Sequence, residues 1–150
     1  MTAITERDVL QPVPLTSQQI FDKVLAHLRK QGCQSRHQND DGTLGSCAYR
    51  GAGGTMCAVG CLIPDNVYDE RIEGLGVYVS LLTMSRQRTE YEELLVSTFD
   101  ASAVPRTVEA YGLLGALQRV HDQYFEVGFE SEMQRVASDR GLTYTPPTVS

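Results

Sequence analysis

The chain has 150 residues, of which 41% are hydrophobic and 21% charged, and its formal net charge is −6. The length suits a single domain with a substantial core, and the composition is ordinary for a globular protein. The acidic balance disfavours direct nucleic-acid binding, which normally needs a basic face. Because no apolar run approaches the roughly 20 residues that span a membrane, we expect no membrane association.

The two ends of the chain differ from its middle in having no clear periodicity. Residues 1–15 predict an extended N-terminal arm, residues 16–142 a single globular domain, and residues 143–150 a C-terminal tail. The first residues lack the basic and apolar regions of a secretory signal, so we expect a cytoplasmic protein. The four cysteines are then expected to be reduced thiols.

Four segments have the apolar period and the end signals of α-helices: residues 16–32, 89–99, 105–124 and 129–141. In the first, Thr16 and Gln19 predict a capping box, and Gly32 predicts a left-handed end. A second capping box at Thr89 predicts the start of the next helix. The apolar residues 77–84 predict a further short, buried helix.

Two details of these helices concern packing. Tyr91 and Val108 belong to the apolar stripes that are expected to face the core. Gly112 and Gly115 lower helix propensity, and they predict the close approach of another element to the third helix.

A glycine-rich stretch after the first helix predicts the only β structure. Residues 44–50 predict a strand, residues 51–54 a tight turn, and residues 55–57 a returning strand. The small apolar residues that follow suit close backbone packing before Pro64 ends the run. The sequence therefore predicts a mainly α (α+β) fold: a compact helical domain with one small β-hairpin near residues 44–57.

The cysteines allow a metal hypothesis beside a structural one. Soft donors for a Cys₃His or Cys₄ zinc site are available at five positions: Cys33, His37, Cys47, Cys57 and Cys61. Their four-residue spacings are looser than the Cys-x₂-Cys pairs of established zinc modules. Buried, inert thiols are therefore favoured, no cofactor is expected, and zinc is the alternative.

A catalytic hypothesis rests on Cys57 and His121. Cys57 precedes a potential helix start, where backbone N–H groups lower the pKa of a thiol, and His121 would act as its base. Adjacent residues on an α-helix point about 100° apart, so Asp122 is not expected to orient His121. No nucleophile motif surrounds Cys57, and the sequence favours a protein without catalytic residues.

The central motif resembles that of a known protein family. It consists of Cys-Ala-Tyr-Arg-Gly at residues 47–51, Gly54, Cys-Ala-Val-Gly-Cys-Leu-Ile-Pro-Asp at residues 57–65, and Tyr68. This pattern is similar to that of small uncharacterised proteins of bacteriophages, prophages and bacterial mobile elements. Leu117-Gln118, His121-Asp122 and residues 136–142 extend the resemblance, which covers about residues 16–142.

The resemblance implies a phage-related origin and no particular activity. We take four residues of the motif as candidate binding residues: Tyr49, Arg50, Asp65 and Tyr68. The expected function is that of a non-enzymatic interaction protein that binds a host or phage protein, for example to inhibit or modulate a host defence or regulatory complex. The alternatives are a zinc-stabilised module and a cysteine-dependent hydrolase or transferase, and a homo-oligomer stays open.

Overall fold

A computed structural model describes residues 13–78 and 88–148. Its regular elements are four α-helices and two short strands: α1 (Ser17–Gln31), β1 (Arg36–Gln38), β2 (Leu44–Cys47), α2 (Glu90–Ala101), α3 (Val108–Arg119) and α4 (Phe129–Asp139). The predicted fold class, mainly α with one small hairpin, is confirmed. The predicted arm up to residue 12 and most of the helix predicted over residues 77–84 lie outside the described residues. In the described ranges no helix combines the length and apolarity that a membrane crossing demands.

Helix α1 begins and ends where its local signals predict. The Thr16 hydroxyl accepts a hydrogen bond from the Gln19 backbone N–H at 3.1 Å, and the Gln19 side chain accepts one from the Thr16 N–H at 2.9 Å. Gly32 ends the helix with φ of 69°, in the left-handed region. These contacts satisfy backbone groups that the helix itself leaves unpaired.

The core lies between α1, the segment after the hairpin, and the three later helices. Phe21 of α1 is fully buried, as are Phe99 of α2 and Tyr111 of α3, whose rings meet edge to face at 5.4 Å. The predicted inward positions of Tyr91 and Val108 are wrong, because these side chains are 51% and 66% exposed. In the first turns of these helices the buried side chains are instead those of Glu92 and Ala110.

Of the strand predicted over residues 44–50, only β2 (Leu44–Cys47) forms, and it pairs with an earlier segment than predicted. Its partner is β1, and the turn between them is closed by the Asn39 N–H, which donates to the Thr43 carbonyl at 2.8 Å. The glycine turn instead forms a 3₁₀ turn at Ala52–Gly54, and a single bridge between Arg50 and Met56 flanks it in place of the predicted returning strand. The hairpin loop is thus the polar turn at residues 39–43, which is closed by internal backbone hydrogen bonds, and not the glycine turn.

Among the glycines, the closest approach of another backbone occurs at Gly60. A Cβ atom there would lie 2.1 Å from the Tyr49 carbonyl oxygen, so the residue must be glycine. The prediction of close approach at Gly112 and Gly115 is wrong. A Cβ there would meet its nearest neighbour at 3.5 and 3.6 Å, which is ordinary contact. The backbone of the small apolar run, at Gly60, therefore packs directly against the backbone of Tyr49.

The start of the C-terminal segment lies along α1. Thr143 exchanges two hydrogen bonds with the Gln18 side chain, at 2.8 and 3.0 Å. Arg29 donates to the Thr145 carbonyl at 2.8 Å and also pairs with Glu130 of α4 through two bonds of 2.8 Å. These contacts join the C-terminal segment and α4 to the first helix.

Candidate functional site

An open groove runs along β2 and continues past its C-terminal end. It consists of two adjoining clefts of about 460 and 390 Å³ that share Ser46, Cys47 and Asp122. The larger cleft lies between residues 46–49 and residues 73–76, and the smaller one extends towards residues 123–127. We call the two clefts together the β2 groove. It is the site at which strand, motif and third helix meet.

The helical wall of the β2 groove is a π-helical segment, Val120–Tyr124, which continues α3. There the Nδ1 atom of His121 lies 2.7 Å from the Oδ1 atom of Asp122. The expectation that Asp122 could not orient its neighbour is wrong. A π-helix closes its hydrogen bonds from i to i+5, so consecutive side chains are separated by less than the α-helical 100° or so.

His121 is fully buried, and both of its ring nitrogens are engaged. The backbone N–H of Ser35 donates to the Nε2 atom at 2.9 Å. Because an amide N–H can only donate, Nε2 accepts, and the ring proton lies on Nδ1 and is donated to Asp122. His121 therefore has no free lone pair with which to take a proton from a thiol or to bind a metal. In this arrangement it joins the α3 extension to the segment after α1.

Asp122 is the charged group at the centre of the β2 groove. Its Oδ1 atom accepts hydrogen bonds from His121 and, at 2.8 Å, from the Gln118 amide. Burial opposes its ionisation, but hydrogen bonds from His121, the Cys47 thiol and Gln118 outweigh it and lower the pKa of Asp122. Its side chain is still 38% exposed. A carboxylate thus faces the groove at neutral pH.

The three thiols of the motif are held in their protonated form. Burial is the main cause, and it raises the pKa of Cys47 to about 11 and the pKa values of Cys57 and Cys61 to about 12. At Cys47 the negative charge of Asp122 acts in the same direction. A reactive thiol needs a lowered pKa, so the environment of these groups disfavours nucleophilic attack.

The five predicted metal donors are not brought together. Cys33 is exposed, and the Nε2 atom of His37 lies 3.8 Å from Glu73. Cys57 accepts from the Gly60 N–H at 3.2 Å, and Cys61 donates to the Ala58 carbonyl at 3.1 Å.

A different set of donors does converge. The donor atoms of Cys47, His121 and Asp122 lie within 4.8 Å of one another. A metal there would need the Ser35 N–H to release His121, so the observed hydrogen bonds do not fit a metal centre.

The candidate binding residues Tyr49, Arg50 and Tyr68 are occupied within the fold. The Glu73 carboxylate accepts from the backbone N–H groups of Tyr49 and Arg50 at 2.9 and 3.0 Å, and from the Tyr68 hydroxyl at 2.5 Å. Tyr49 itself is 6% exposed, and its hydroxyl donates to the Leu75 carbonyl. Glu73 thus connects Tyr49 and Arg50 to residues 73–76, which form the opposite wall of the groove.

Arg50 makes a second set of contacts across the motif. Its guanidinium donates to the Ile63 carbonyl at 2.5 Å, lies over the Tyr68 ring at 5.2 Å, and lies 3.1 Å from Asp65. Asp65 differs from the other three candidates, because its side chain is 96% exposed. The Tyr-Arg part of the motif therefore shapes the wall of the groove.

Sequence reasoning missed three residues that build the site. Ser35 supplies the backbone N–H for His121, Gln118 orients Asp122, and Glu73 joins the walls. Gln118 lies four residues before Asp122, a helical spacing that the sequence does display. Ser35 and Glu73 act through contacts with distant parts of the chain, and no local pattern marks them.

Comparison of the chain with protein-family models, with curated proteins and with solved structures gives no match. The phage-family resemblance therefore stays a prediction from the central motif.

Proposed function

We propose that this protein is a non-enzymatic interaction protein of phage or mobile-element origin, which binds a host or phage protein. Its effect would be to inhibit or modulate a host defence or regulatory complex. The observation that carries the proposal is the open β2 groove, whose polar groups are arranged for contact and not for reaction. We place its action in the cytoplasm, where the four free thiols stay reduced.

The chemistry of the groove supports binding over catalysis. The thiol of Cys47 is held protonated beside Asp122. Both ring nitrogens of His121 are hydrogen-bonded, one to Ser35 and one to Asp122. A Cys–His mechanism needs a base with a free lone pair within reach of the thiol. A strand edge without a neighbouring strand, beside a charged group, is in contrast suited to the recognition of a protein segment.

Affinity capture followed by reconstitution tests this function. The tagged full chain, and an unrelated acidic domain of the same size as a control, are incubated with lysate of a bacterial host. We expect one partner that is enriched over the control and that forms a stoichiometric complex when both proteins are purified. The Cys57→Ala variant should capture it equally well. Failure of every enriched protein to bind after purification would refute the interaction function.

A zinc-stabilised module is the second candidate: three donor types converge at Cys47, His121 and Asp122, and a metal there would have to displace the Ser35 N–H from His121. Metal analysis of the purified protein, with melting in the presence and absence of a chelator, tests it. Stoichiometric zinc that is lost in Cys47→Ala but kept in Cys61→Ala would establish such a centre. Metal-free protein with an unchanged melting temperature would rule it out.

A further inference from the structure

We infer that the outer edge of β2 binds an extended peptide segment of the partner, and that this segment places a basic side chain against Asp122. This inference rests on the proposed interaction function and names the site and the chemistry of its occupant. It is carried by three features: the free strand edge, the groove beside it, and the charge at its centre.

The strand edge follows from the register of the hairpin. Cys47 lies opposite Arg36, and the next residue, Ala48, donates its N–H to the Ser35 carbonyl at 2.9 Å. Because opposed residues alternate between hydrogen-bonded and non-hydrogen-bonded pairs, the N–H and C=O of Cys47 point away from β1. In the described residues the sheet has two strands, so this outer edge of β2 has no strand beside it. Such an edge is a template for a further strand.

The β2 groove gives an added strand room. Residues 46–48 line the larger cleft beside the open edge, residues 73–76 form the facing wall, and Tyr49, whose outward N–H is already bound by Glu73, ends that edge. Glu73 and Tyr49 hold the two walls together through the hydrogen bonds described above, so the cleft is preformed. At the other end, Phe125 and the 78% exposed Val127 supply apolar surface for the side chains of a bound segment.

The charge of the groove selects a basic occupant. Three carboxylates line the two clefts, from Glu73, Asp122 and Glu126, against one guanidinium, from Arg36. Arg36 donates from Nε to the Gly45 carbonyl at 2.6 Å, within the hairpin. Asp122 is ionised and partly exposed at the point where the clefts meet. A lysine or arginine in the bound segment would complement it.

A displayed library of random 12-residue peptides, panned against the immobilised full chain, provides the probe. The enriched peptide is then synthesised in three forms: unmodified, with single backbone N-methylations, and with its basic residue replaced by norleucine. Binding is measured by fluorescence polarisation to the wild type, to Asp122→Asn, and to Asp139→Asn as a matched control. Asp139 lies at the end of α4 and does not line the groove.

We expect N-methylation to weaken binding about 10-fold at alternate positions and little at the positions between them, because a paired strand points every second amide at its neighbour. Norleucine should weaken binding to the wild type about 5-fold and leave binding to Asp122→Asn unchanged. Asp139→Asn should bind like the wild type. This pattern assigns both the strand pairing and the charge pair to the β2 groove.

Several results would overturn the inference. The first is no enrichment of peptides over the bare support. The second is equal binding of all N-methylated peptides, and the third is equal binding of the unmodified peptide to the wild type and to Asp122→Asn. Dimerisation of the chain that competes with the peptide would assign the edge to a second copy instead. A captured partner protein whose affinity is unchanged in Asp122→Asn would refute this site and leave the interaction function standing, so the two failures are distinguishable.

Discussion

Replacement of Gly60 by alanine tests the backbone packing on which the whole motif depends. The added Cβ would lie 2.1 Å from the Tyr49 carbonyl oxygen, whereas real Cβ contacts essentially never fall below 3.0 Å. The two backbones must therefore separate by close to an ångström. The peptide groups of Tyr49 and Arg50 cannot yield freely, because Glu73 binds both of their N–H groups.

Overpacking typically costs about 1–3 kcal/mol, and we place Gly60→Ala at the upper end because the obstacle is fixed backbone. For a chain of this size, about 3 kcal/mol corresponds to a drop in melting temperature of roughly 6–12 °C. Urea denaturation followed by circular dichroism measures the change in the free energy of unfolding.

Gly112→Ala is the matched control for this substitution. It lies inside α3, where a Cβ finds only ordinary contact with Arg140 at 3.5 Å. Alanine should therefore stabilise the helix by about 0.5–1 kcal/mol. A Gly60→Ala protein within about 0.5 kcal/mol of the wild type would refute the packing argument, since two backbones in such contact could not accept a methyl group at so small a cost.

The remaining predictions concern the core, the thiols and the central carboxylate. Leu117→Ala should lower the free energy of unfolding by about 2–5 kcal/mol, because this side chain is fully buried, and an unchanged denaturant midpoint would contradict it. Cys33, which is exposed, should react quickly with a thiol reagent while Cys57 stays protected, and rapid labelling of Cys57 that is slowed by His121→Ala would support the enzymatic alternative. Because the pKa of Cys57 is raised to about 12, the free energy of unfolding is unaffected by this thiol below the free-thiol pKa of about 8.5. Above that pH it falls by up to about 1.4 kcal/mol per pH unit. Cys57→Ala should reduce this slope in melting experiments. The lowered pKa of Asp122 gives the opposite pH dependence. Its contribution to stability is present above the unfolded pKa of about 3.9 and is lost as the pH falls through the folded pKa. Asp122→Asn should therefore show a smaller acid-induced loss of melting temperature than the wild type.

The two hypotheses about the cysteines show how far residue types alone can lead. The sequence supplied the soft donors and the thiols, and either a zinc site or a nucleophile was compatible with them. The structure raises the pKa values of the motif thiols through burial and gives His121 a backbone donor at Nε2. Both effects depend on what surrounds each atom, and neither is present in the order of residues.

The helices were predictable because their signals are local. The capping boxes at Thr16 and Thr89 join atoms three residues apart, and Gly32 ends α1 through its own φ angle. Such interactions form wherever the local sequence permits them, so the sequence by itself determined the helical character of the chain and the starts of α1 and α2.

Only the tertiary structure decided the strand partner and the site. The sequence contains two turns that can each reverse the chain, and the pairing of β2 depends on which neighbour packs beside it. The bond between Ser35 and His121 joins residues 86 positions apart, and it exists because α3 packs its π-helical end against the segment after α1. A contact of that range has no period or spacing in the sequence, since the intervening elements alone set the distance between its atoms.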